Sequence, residues 1–453
     1  MPRPSSSIAI FALISTIVVV IGLHAPQGQA QSLPDTLTFE RATALLIKHS
    51  PQLRAAESRA QAEAGAARNR ALFPNPSVSV DREWTDLDPG TDDQWFASVS
   101  QPLRYPGEHR AYSRAARATE AASQAQVQET QARLLHALRY RYLDVVEAEA
   151  RLDVLTSVAA SVRTAAQAAQ VRYEEGDLGS VERSRLQVAQ SGYEDALAEA
   201  QRRLRDSRIE LAYLLLPDAE ATLDAVSRQI DFRLVTPAAL RTISVGSKPI
   251  DEQAALDRAL HQRGLLQSAR SRVDARTADL DAARYRRYPS LEVSAGPRSQ
   301  SILGTTTYGY TAGLRVGLPL WNRGTAAVEA KRGRQYAAQA DLETTRRRVE
   351  VQVHDAIERV ESYRERIQKI SRSVLQATDS LGPDARFVYR EGEISLFELI
   401  DTVDAARDAS MLRTTLVTEY LRALYDLELA LGVGLDDPPL LLTDPFSPRS
   451  ASL

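Results

Sequence analysis

Cysteine is absent from this chain of 453 residues. Its absence excludes disulfides, thiolate metal ligands, thiol nucleophiles and a lipid anchor on an N-terminal cysteine. The six histidines are scattered, methionine occurs twice, and no His-x-x-Glu-His, Gly-x-Ser-x-Gly or phosphate-loop motif is present. We therefore expect a protein that is not an enzyme and that carries no cofactor and no metal site.

A basic excess is also missing. The 56 Lys and Arg stand against 59 Asp and Glu, which gives a net charge of -3. Nucleic-acid binding usually requires a basic surface, so we expect no nucleic-acid partner. With 43% hydrophobic and 25% charged residues, most of the chain is neither a membrane-embedded helical bundle nor a disordered tail. No run of consecutive apolar residues after residue 30 is long enough for a transmembrane helix.

Residues 1–30 have the order of a secretory signal peptide. Arg3 precedes an apolar run from Ile8 to Leu23, and the segment ends in the small residue Ala30. An uncleaved anchor helix is the alternative, but 16 apolar residues are few for crossing about 30 Å of hydrocarbon. We therefore predict export, with cleavage after Ala30.

The rest of the sequence repeats itself at a long interval. Three short motifs of the first half have counterparts in the second: Phe-Pro-Asn-Pro with Tyr-Pro-Ser-Leu, Gln-Pro-Leu-Arg-Tyr-Pro-Gly with Leu-Pro-Leu-Trp-Asn-Arg-Gly, and Tyr-Glu-Glu-Gly with Tyr-Arg-Glu-Gly. They occur in the same order, 215 to 217 residues apart. Such a spacing indicates an internal duplication. We predict that residues 31–216 and 249–432 each fold as a helix, a β-hairpin, a very long helix, a turn and a helix.

Alternating residues predict the two β-hairpins, at about residues 77–103 and 290–320. From Tyr308 to Leu318, aromatic and aliphatic side chains alternate with mostly Gly, Thr and Arg. The polar segments 83–93 and 297–307 contain Gly and Pro and are predicted to be loops. Strands of about ten residues suit a tilted crossing of a membrane, although a soluble hairpin packed on a core would alternate in the same way.

Four strands from one chain cannot close a barrel in a membrane. The smallest such barrels have about eight strands, because an open edge leaves backbone groups unpaired in hydrocarbon. Two chains would supply eight strands around a plugged interior, and three chains would supply twelve around an open one. If the protein conducts anything, this reasoning predicts a homotrimer.

Very long helices are predicted in both halves, the first over residues 107–171. Apolar residues there and in the second half recur at alternating spacings of four and three, which is typical of a left-handed coiled coil. The two seams are Leu134, Leu138, Val145, Ala148, Leu152, Leu155 and Ala159, interrupted by Arg141, and Val349, Val353, Ala356, Val360, Tyr363, Ile367, Ile370 and Val374. Glycine-centred turns at 174–180 and 390–395 reverse the chain into a second helix in each half, the first of them over 181–215.

This combination of duplication, proline-initiated strands, long helices and two Tyr-x-x-Gly turns resembles the TolC family of outer-membrane efflux channels. The motifs around the first hairpin look most like the CzcC-type branch, which is tied to heavy-metal cation efflux. The resemblance implies a mainly α protein with a small β part. Three chains would form a periplasmic α-barrel of coiled-coil hairpins and share a 12-strand β-barrel in the outer membrane. Residues 217–248 and the tail, 433–453, would form the waist of the tube.

A passive exit duct in the outer membrane of a Gram-negative bacterium is the function that the resemblance implies. Its partners would be outer-membrane lipid, a periplasmic adaptor of the membrane fusion type and an inner-membrane pump, expected to be of the RND type. A drug-efflux duct or a type I secretion duct of the same fold is an alternative. A periplasmic coiled-coil scaffold with soluble hairpins is another.

Carboxylates after the second turn are the family's periplasmic constriction, and they correspond here to Glu398 and Asp401. Asp404 follows one helical turn further. Residues three apart share a helix face, so Glu398 and Asp401 could both point into the pore. A solvated coiled-coil face is the ordinary alternative for such a pair.

Residues at the two turns have further roles in the family. A tyrosine before the second glycine, here Tyr389, can bridge to an acid of the neighbouring hairpin, for which Glu182 is the candidate; simple packing of Tyr389 at the turn is the alternative. Ile394 stands where the family usually has a basic partner, so this latch is incomplete. The expected adaptor contacts are Gly176, Leu178, Gly392 and Ile394, since glycines allow close docking.

Overall fold

The fold is described from a computed structural model of the whole chain. It describes residues 36–87, 90–215, 233–234, 249–302, 304–390 and 393–433. The predicted signal peptide, most of the predicted segment 217–248 and the tail after residue 433 lie outside the described residues. So does Gly392, one of the expected adaptor contacts.

The first half of the chain ends in two long antiparallel helices. The elements up to that point are strand β1 (Thr36–Leu37), helices α1 (Phe39–His49) and α2 (Pro51–Ala71), strands β2 (Ser77–Leu87) and β3 (Gly90–Leu103), and helices α3 (Pro106–Glu174) and α4 (Ser180–Leu215). With 69 residues, α3 is about 100 Å long at 1.5 Å per residue.

The second half repeats this order. Its elements are strand β4 (Arg233–Leu234), helices α5 (Glu252–Gln262) and α6 (Gly264–Arg284), a 3-10 turn (Tyr285–Arg287), strands β5 (Ser290–Ile302) and β6 (Thr305–Gly317), and helices α7 (Thr325–Arg390) and α8 (Leu396–Leu431). Helices α4 and α8 both have 36 residues and begin 216 positions apart. The predicted duplication is therefore present in the fold.

Local sequence signals set where several helices begin. Pro51 and Pro106 occupy the first turns of α2 and α3, where the missing N–H costs nothing. Ser50 caps α2 by accepting from the Leu53 amide at 3.2 Å. At the end of α8, Gly432 has φ +74°, the left-handed conformation that favours glycine and stops a helix.

The four long strands form one antiparallel sheet in the order β2-β3-β5-β6, while β1 and β4 pair in parallel elsewhere. Pairing in β2-β3 is continuous from Ser77 with Ser100 to Leu87 with Gly90. In β5-β6 it runs from Ser290 with Gly317 to Ile302 with Thr305. Among the described strands, one edge of β2 and one edge of β6 have no strand partner.

The predicted loops at 83–93 and 297–307 were wrong, because both segments are mostly strand. Their polar side chains pair across the sheet: Arg82 contacts Asp93 at 2.8 Å, and Gln94 contacts Arg298 at 2.8 Å. A strand whose side chains face water or polar neighbours needs no apolar face. A strand can therefore continue beyond the point where the alternation of apolar residues stops. The strands therefore extend much further into both segments than predicted.

The main core lies where α3, α7 and α8 pack with the short helices. The predicted seam residues Val349, Val353, Ala356 and Val360 are all buried, as are Leu134, Leu138, Val145 and Ala148. Arg141, the exception in that pattern, points out to Glu210 of α4 and to Asp144. Tyr142 is buried, packs edge-on against Phe39 and donates to the Leu37 carbonyl at 3.2 Å. The coiled-coil prediction is confirmed at these positions.

Polar contacts join α3 to α8 and so tie the two repeats together. Arg422 of α8 contacts Asp144 at 2.7 Å and Glu147 at 2.9 Å, both on α3. One turn further along, Asp426 accepts from the Tyr140 hydroxyl at 2.7 Å and lies 2.8 Å from His136 Nε2. The register of the two helices is therefore defined by charge as well as by apolar packing.

Among the described residues, no helix carries an apolar stretch of the length that a bilayer crossing requires.

Candidate conduction and gating site

Helices α3 and α4 form one helical hairpin, and α7 and α8 form the other. The ends of these two helical hairpins make up the tip, where the periplasmic constriction was predicted from the sequence. At the first turn, Gly176 has φ +87° and the Asp177 amide donates to the Arg172 carbonyl at 2.8 Å, which closes α3. A Cβ on Gly176 would meet nothing within 4 Å, so its backbone conformation alone requires glycine. Gly176 is exposed, as an adaptor contact would require.

Apolar side chains fill the space between the hairpins just above this tip. We call the set of buried residues there the tip cluster: Ala159, Val162, Ala165, Ala169, Leu186, Tyr193, Tyr389, Leu399 and Val403. Leu178 and Ile394 pack partly against it. The side chains of these two expected adaptor contacts are therefore partly buried against the tip cluster and partly exposed at the surface.

Glu398 lies in the first turn of α8 and forms a reciprocal cap with Ser395. Its carboxylate accepts from the Ser395 amide at 2.8 Å, and the Glu398 amide donates to Ser395 Oγ at 3.3 Å. The hydrogen bond from the Ser395 amide holds the pKa of the Glu398 carboxyl below its usual value. Glu398 is thus exposed, ionised and held in place at the tip.

Glu398 and Asp401 lie on the face of α8 that points away from the tip cluster. Both are exposed, whereas Leu399 and Val403 on the other face are buried. Asp401 has no ion-pair or hydrogen-bond partner among the described residues. The structure therefore brings these two predicted carboxylates together on one accessible surface, with a net negative charge.

Asp404 has a different environment from the other two. It accepts a hydrogen bond from the Tyr193 hydroxyl of α4 and lies 2.7 Å from Arg407. The Arg407 guanidinium also reaches the Tyr193 hydroxyl at 3.2 Å and lies 5.5 Å from the centre of its ring. Asp404 therefore forms polar contacts between helix α4 of the first helical hairpin and helix α8 of the second.

Sequence reasoning missed this contact of Tyr193 with Asp404 and Arg407. The spacing of Asp404 and Arg407, three residues apart, was the one visible signal, and it is common on any helix surface. Tyr193 belongs to the other repeat and lies in no recognisable sequence motif, so nothing in the sequence indicated its contact with Asp404.

The proposed latch residues are not in contact within the chain. The Glu182 carboxylate accepts from the Gly179 amide at 3.3 Å and so caps its own helix. Tyr389 is buried in the tip cluster beneath Arg172, and its hydroxyl has no hydrogen-bond partner among the described residues. Inside one chain, Tyr389 packs at the turn as the alternative interpretation expected.

The sheet has one apolar and one polar face. Strand register places large apolar side chains on the first face: Val78, Val80, Trp95, Val99, Val293, Tyr308, Tyr310, Leu314 and Val316. All of them are exposed in the single chain, Tyr310 to 92%. An apolar surface of this extent needs a partner or a lipid environment.

Serine, threonine, glycine and charged residues line the opposite face of the sheet. Arg315 lies on it and contacts Glu292 at 2.6 Å. A narrow band of small polar residues lies above this pair, including Ser294 and Gly313. Such a face suits the wall of a water-filled passage.

The outer membrane efflux protein family matches residues 43–215 and 255–433, which is most of the chain in two repeats. The chain belongs to this family. The predicted resemblance to TolC-type channels is thereby confirmed. The fold and family are those of passive outer-membrane channels rather than enzymes, and the chain is an outer-membrane protein with a large periplasmic part.

Individual relatives agree with the family. The cobalt-zinc-cadmium resistance protein CzcC of Cupriavidus metallidurans is 23% identical over 377 residues, covering 82% of this chain and 83% of that protein. The outer-membrane channel OprN superposes with a TM-score of 0.70 at 18% identity, covering 87% of this chain and 90% of OprN. For CusC the TM-score is 0.67 at 16% identity, with 88% and 92% covered.

Within the described residues, no group of three His, Cys, Asp or Glu side chains is arranged to hold a metal ion.

Proposed function

We propose that three copies of this chain form one continuous duct that releases heavy-metal cations from the periplasm to the exterior. The observation that carries the proposal is the four-stranded sheet, which has an apolar face, a polar face and unpaired edges on β2 and β6. In a bilayer those edges must be paired, and β6 of one copy with β2 of the next is the pairing that closes a ring. Three copies give twelve strands and leave room for a passage.

Cations are the favoured cargo for two reasons. Glu398 and Asp401 place two exposed carboxylates per chain at the periplasmic tip, and rings of carboxylates are typical of cation pathways. The relative CzcC is named for resistance to cobalt, zinc and cadmium. Its likeness to this chain supports the same class of substrate.

The duct would work with a periplasmic adaptor and an inner-membrane pump, as members of this family do. The exposed Gly176 and the half-buried Leu178 and Ile394 are the adaptor contacts we propose, together with Gly392. The pump would be of the RND type. In this arrangement substrate selection rests with the pump, and the duct supplies a sealed route.

A deletion strain tests the function directly. Loss of the gene is expected to lower tolerance to zinc, cobalt or cadmium while leaving tolerance to a panel of drugs unchanged, and expression of the chain in trans should restore it. Drug sensitivity with normal metal tolerance would instead favour a drug-efflux duct. Normal tolerance to all of them would contradict the proposal.

Assembly needs its own test, for which the cysteine-free sequence is convenient. Pairs of cysteines placed along the free edges of β2 and β6 should give covalent trimers on oxidation in membranes, and single cysteines should not. A protein that washes from membranes in high salt as a monomer would favour the periplasmic scaffold.

A further inference from the structure

Arg298 lies in the outer half of β5, in a segment that sequence reasoning took for a loop. Strand register places it on the polar face of the sheet, in line with Phe96 on one side and Gly309 on the other. About eight residues along the strand separate it from Ser290, where the sheet begins next to the helices. In a closed barrel this face lines the passage, so the inference that follows rests on the proposed function.

A network of side chains holds the Arg298 guanidinium in one position. Arg298 Nη2 donates to Gln94 Oε1 at 2.8 Å and to Gln300 Oε1 at 3.0 Å. The guanidinium carbon lies 5.1 Å from the centre of the Phe96 ring. A flexible side chain is thereby fixed at the wall by hydrogen bonds and by a cation–π contact.

Asp92 orients both amides of this network. Gln94 Nε2 donates to Asp92 Oδ2 at 2.8 Å, and Gln300 Nε2 lies 3.3 Å from each oxygen of the same carboxylate. Since the NH₂ groups face Asp92, the amide oxygens face Arg298. The carboxylate and the guanidinium are therefore separated by neutral amides and do not form an ion pair.

Arg298 differs in this respect from Arg315, the other arginine on this face. Arg315 contacts Glu292 directly at 2.6 Å, so its charge is compensated at the wall. Arg298 has no carboxylate contact among the described residues, and its hydrogen-bond partners are neutral. Asp81 shares its row of the sheet on the far side of Phe96, and Glu83 lies in the next row, opposite Gln94.

We propose that Arg298 is a selectivity-determining residue of the duct. Its anchored guanidinium, repeated once per chain around the outer half of the barrel, opposes the carboxylates on the same wall. It thereby keeps the preference for cations over anions below the value that those carboxylates would set alone. Conduction requires that ions leave as well as enter, and a fixed positive charge near the exit weakens the retention of cations there.

Reversal potentials in planar bilayers under a salt gradient test this inference. We expect Arg298→Gln to raise the cation-to-anion permeability ratio by about twofold or more, because one fixed charge per chain is lost at a narrow wall. Arg298→Met, which keeps an apolar stem over Phe96, should do the same. Arg298→Lys keeps the charge and should stay close to the parent channel.

A matched control removes one charge of each sign from the same face: Glu292→Gln together with Arg315→Gln. This pair should leave the permeability ratio unchanged, since its net charge is zero. All variants are first compared as trimers in detergent, and either neutral variant that assembles decides the question. An unaltered ratio in that variant would overturn the role of Arg298 while leaving the duct intact. A parent protein that forms no channels would instead contradict the proposed function.

Discussion

Tyr193 and Asp404, 211 residues apart in sequence, share a hydrogen bond that joins α4 of the first hairpin to α8 of the second. Arg407 contacts both groups and completes a polar connection beside the buried tip cluster. Burial, together with the hydrogen bond to Asp404, raises the pKa of the Tyr193 hydroxyl above its usual value. The phenol therefore stays protonated and donates at any physiological pH.

Removing the hydroxyl of Tyr193 should loosen the hairpins at this level. Tyr193→Phe keeps the ring in the tip cluster but loses a hydrogen bond to a charged acceptor, which is worth about 1.5–3 kcal/mol. Amide hydrogen exchange around residues 186–200 and 399–410 should accelerate roughly tenfold. Tyr389→Phe is the control, because the Tyr389 hydroxyl has no partner among the described residues. An equal acceleration in that control would indicate that Tyr389 finds its partner on another chain.

Neutralising the exposed carboxylates of α8 should reduce cation preference. In planar bilayers, Glu398→Ala with Asp401→Ala is expected to lower the cation-to-anion permeability ratio, because two negative charges per chain leave the tip. Glu182→Ala is the comparison: Glu182 lies 216 positions earlier, also caps a helix at the tip and lies outside the α8 surface, so its loss should change the permeability ratio less. If the double variant kept the parent selectivity, these residues would not form the constriction.

Gly264, at the start of α6, lies against the backbone of α3. A Cβ there would lie 2.8 Å from the Ala125 carbonyl oxygen and 3.1 Å from the Glu129 amide nitrogen. Gly264→Ala should therefore destabilise the protein by about 1–3 kcal/mol, since neither backbone group can move freely. Gly333→Ala is the contrast, because nothing lies within 4 Å of its Cβ position inside α7.

Denaturant unfolding in detergent measures the effect of both glycine variants. The alanine at position 333 should be neutral or stabilising by about 0.5–1 kcal/mol, as expected in a helix interior. Equal stability of the two variants would mean that α6 and α3 are less closely packed than the structure has them.

His354 of α7 contacts Glu252 of α5 at 2.9 Å, and this contact should depend on pH. The hydrogen bond to the Glu252 carboxylate and its charge raise the pKa of His354 above its usual value. A raised folded-state pKa means that the stabilisation is fully present below the unfolded value, about 6.5, and is lost as the pH rises through the folded value.

Thermal unfolding of the parent protein and of His354→Gln at two pH values checks this contact. The variant should be less stable than the parent at pH about 5.5, and the two should converge at pH about 8.5. The effect should be small, since both side chains are exposed. A difference that grew with pH would contradict the assigned contact.

The sequence alone was sufficient for the buried stripes of the long helices and for the bend that ends the first long helix. The spacing of Val349, Val353 and Val360 predicts a buried stripe, because a helix face is a local property of 3.6 residues per turn. The glycine at the first turn and the prolines at helix starts act through their own backbone angles. The duplication could then be predicted because similar sequence patterns in the two halves are expected to form the same order of helices and strands.

Tertiary structure decided what the polar residues do. Whether Asp404 faces the pore or Tyr193, whether Arg298 lies in a loop or on the wall of the sheet, and whether Arg315 is compensated all depend on which distant segment lies opposite. A polar side chain is stable in water or against a polar partner, so the pattern of a single strand or helix does not distinguish the two. Whether such a side chain faces water or a polar partner depends on how segments about two hundred residues apart are aligned with each other.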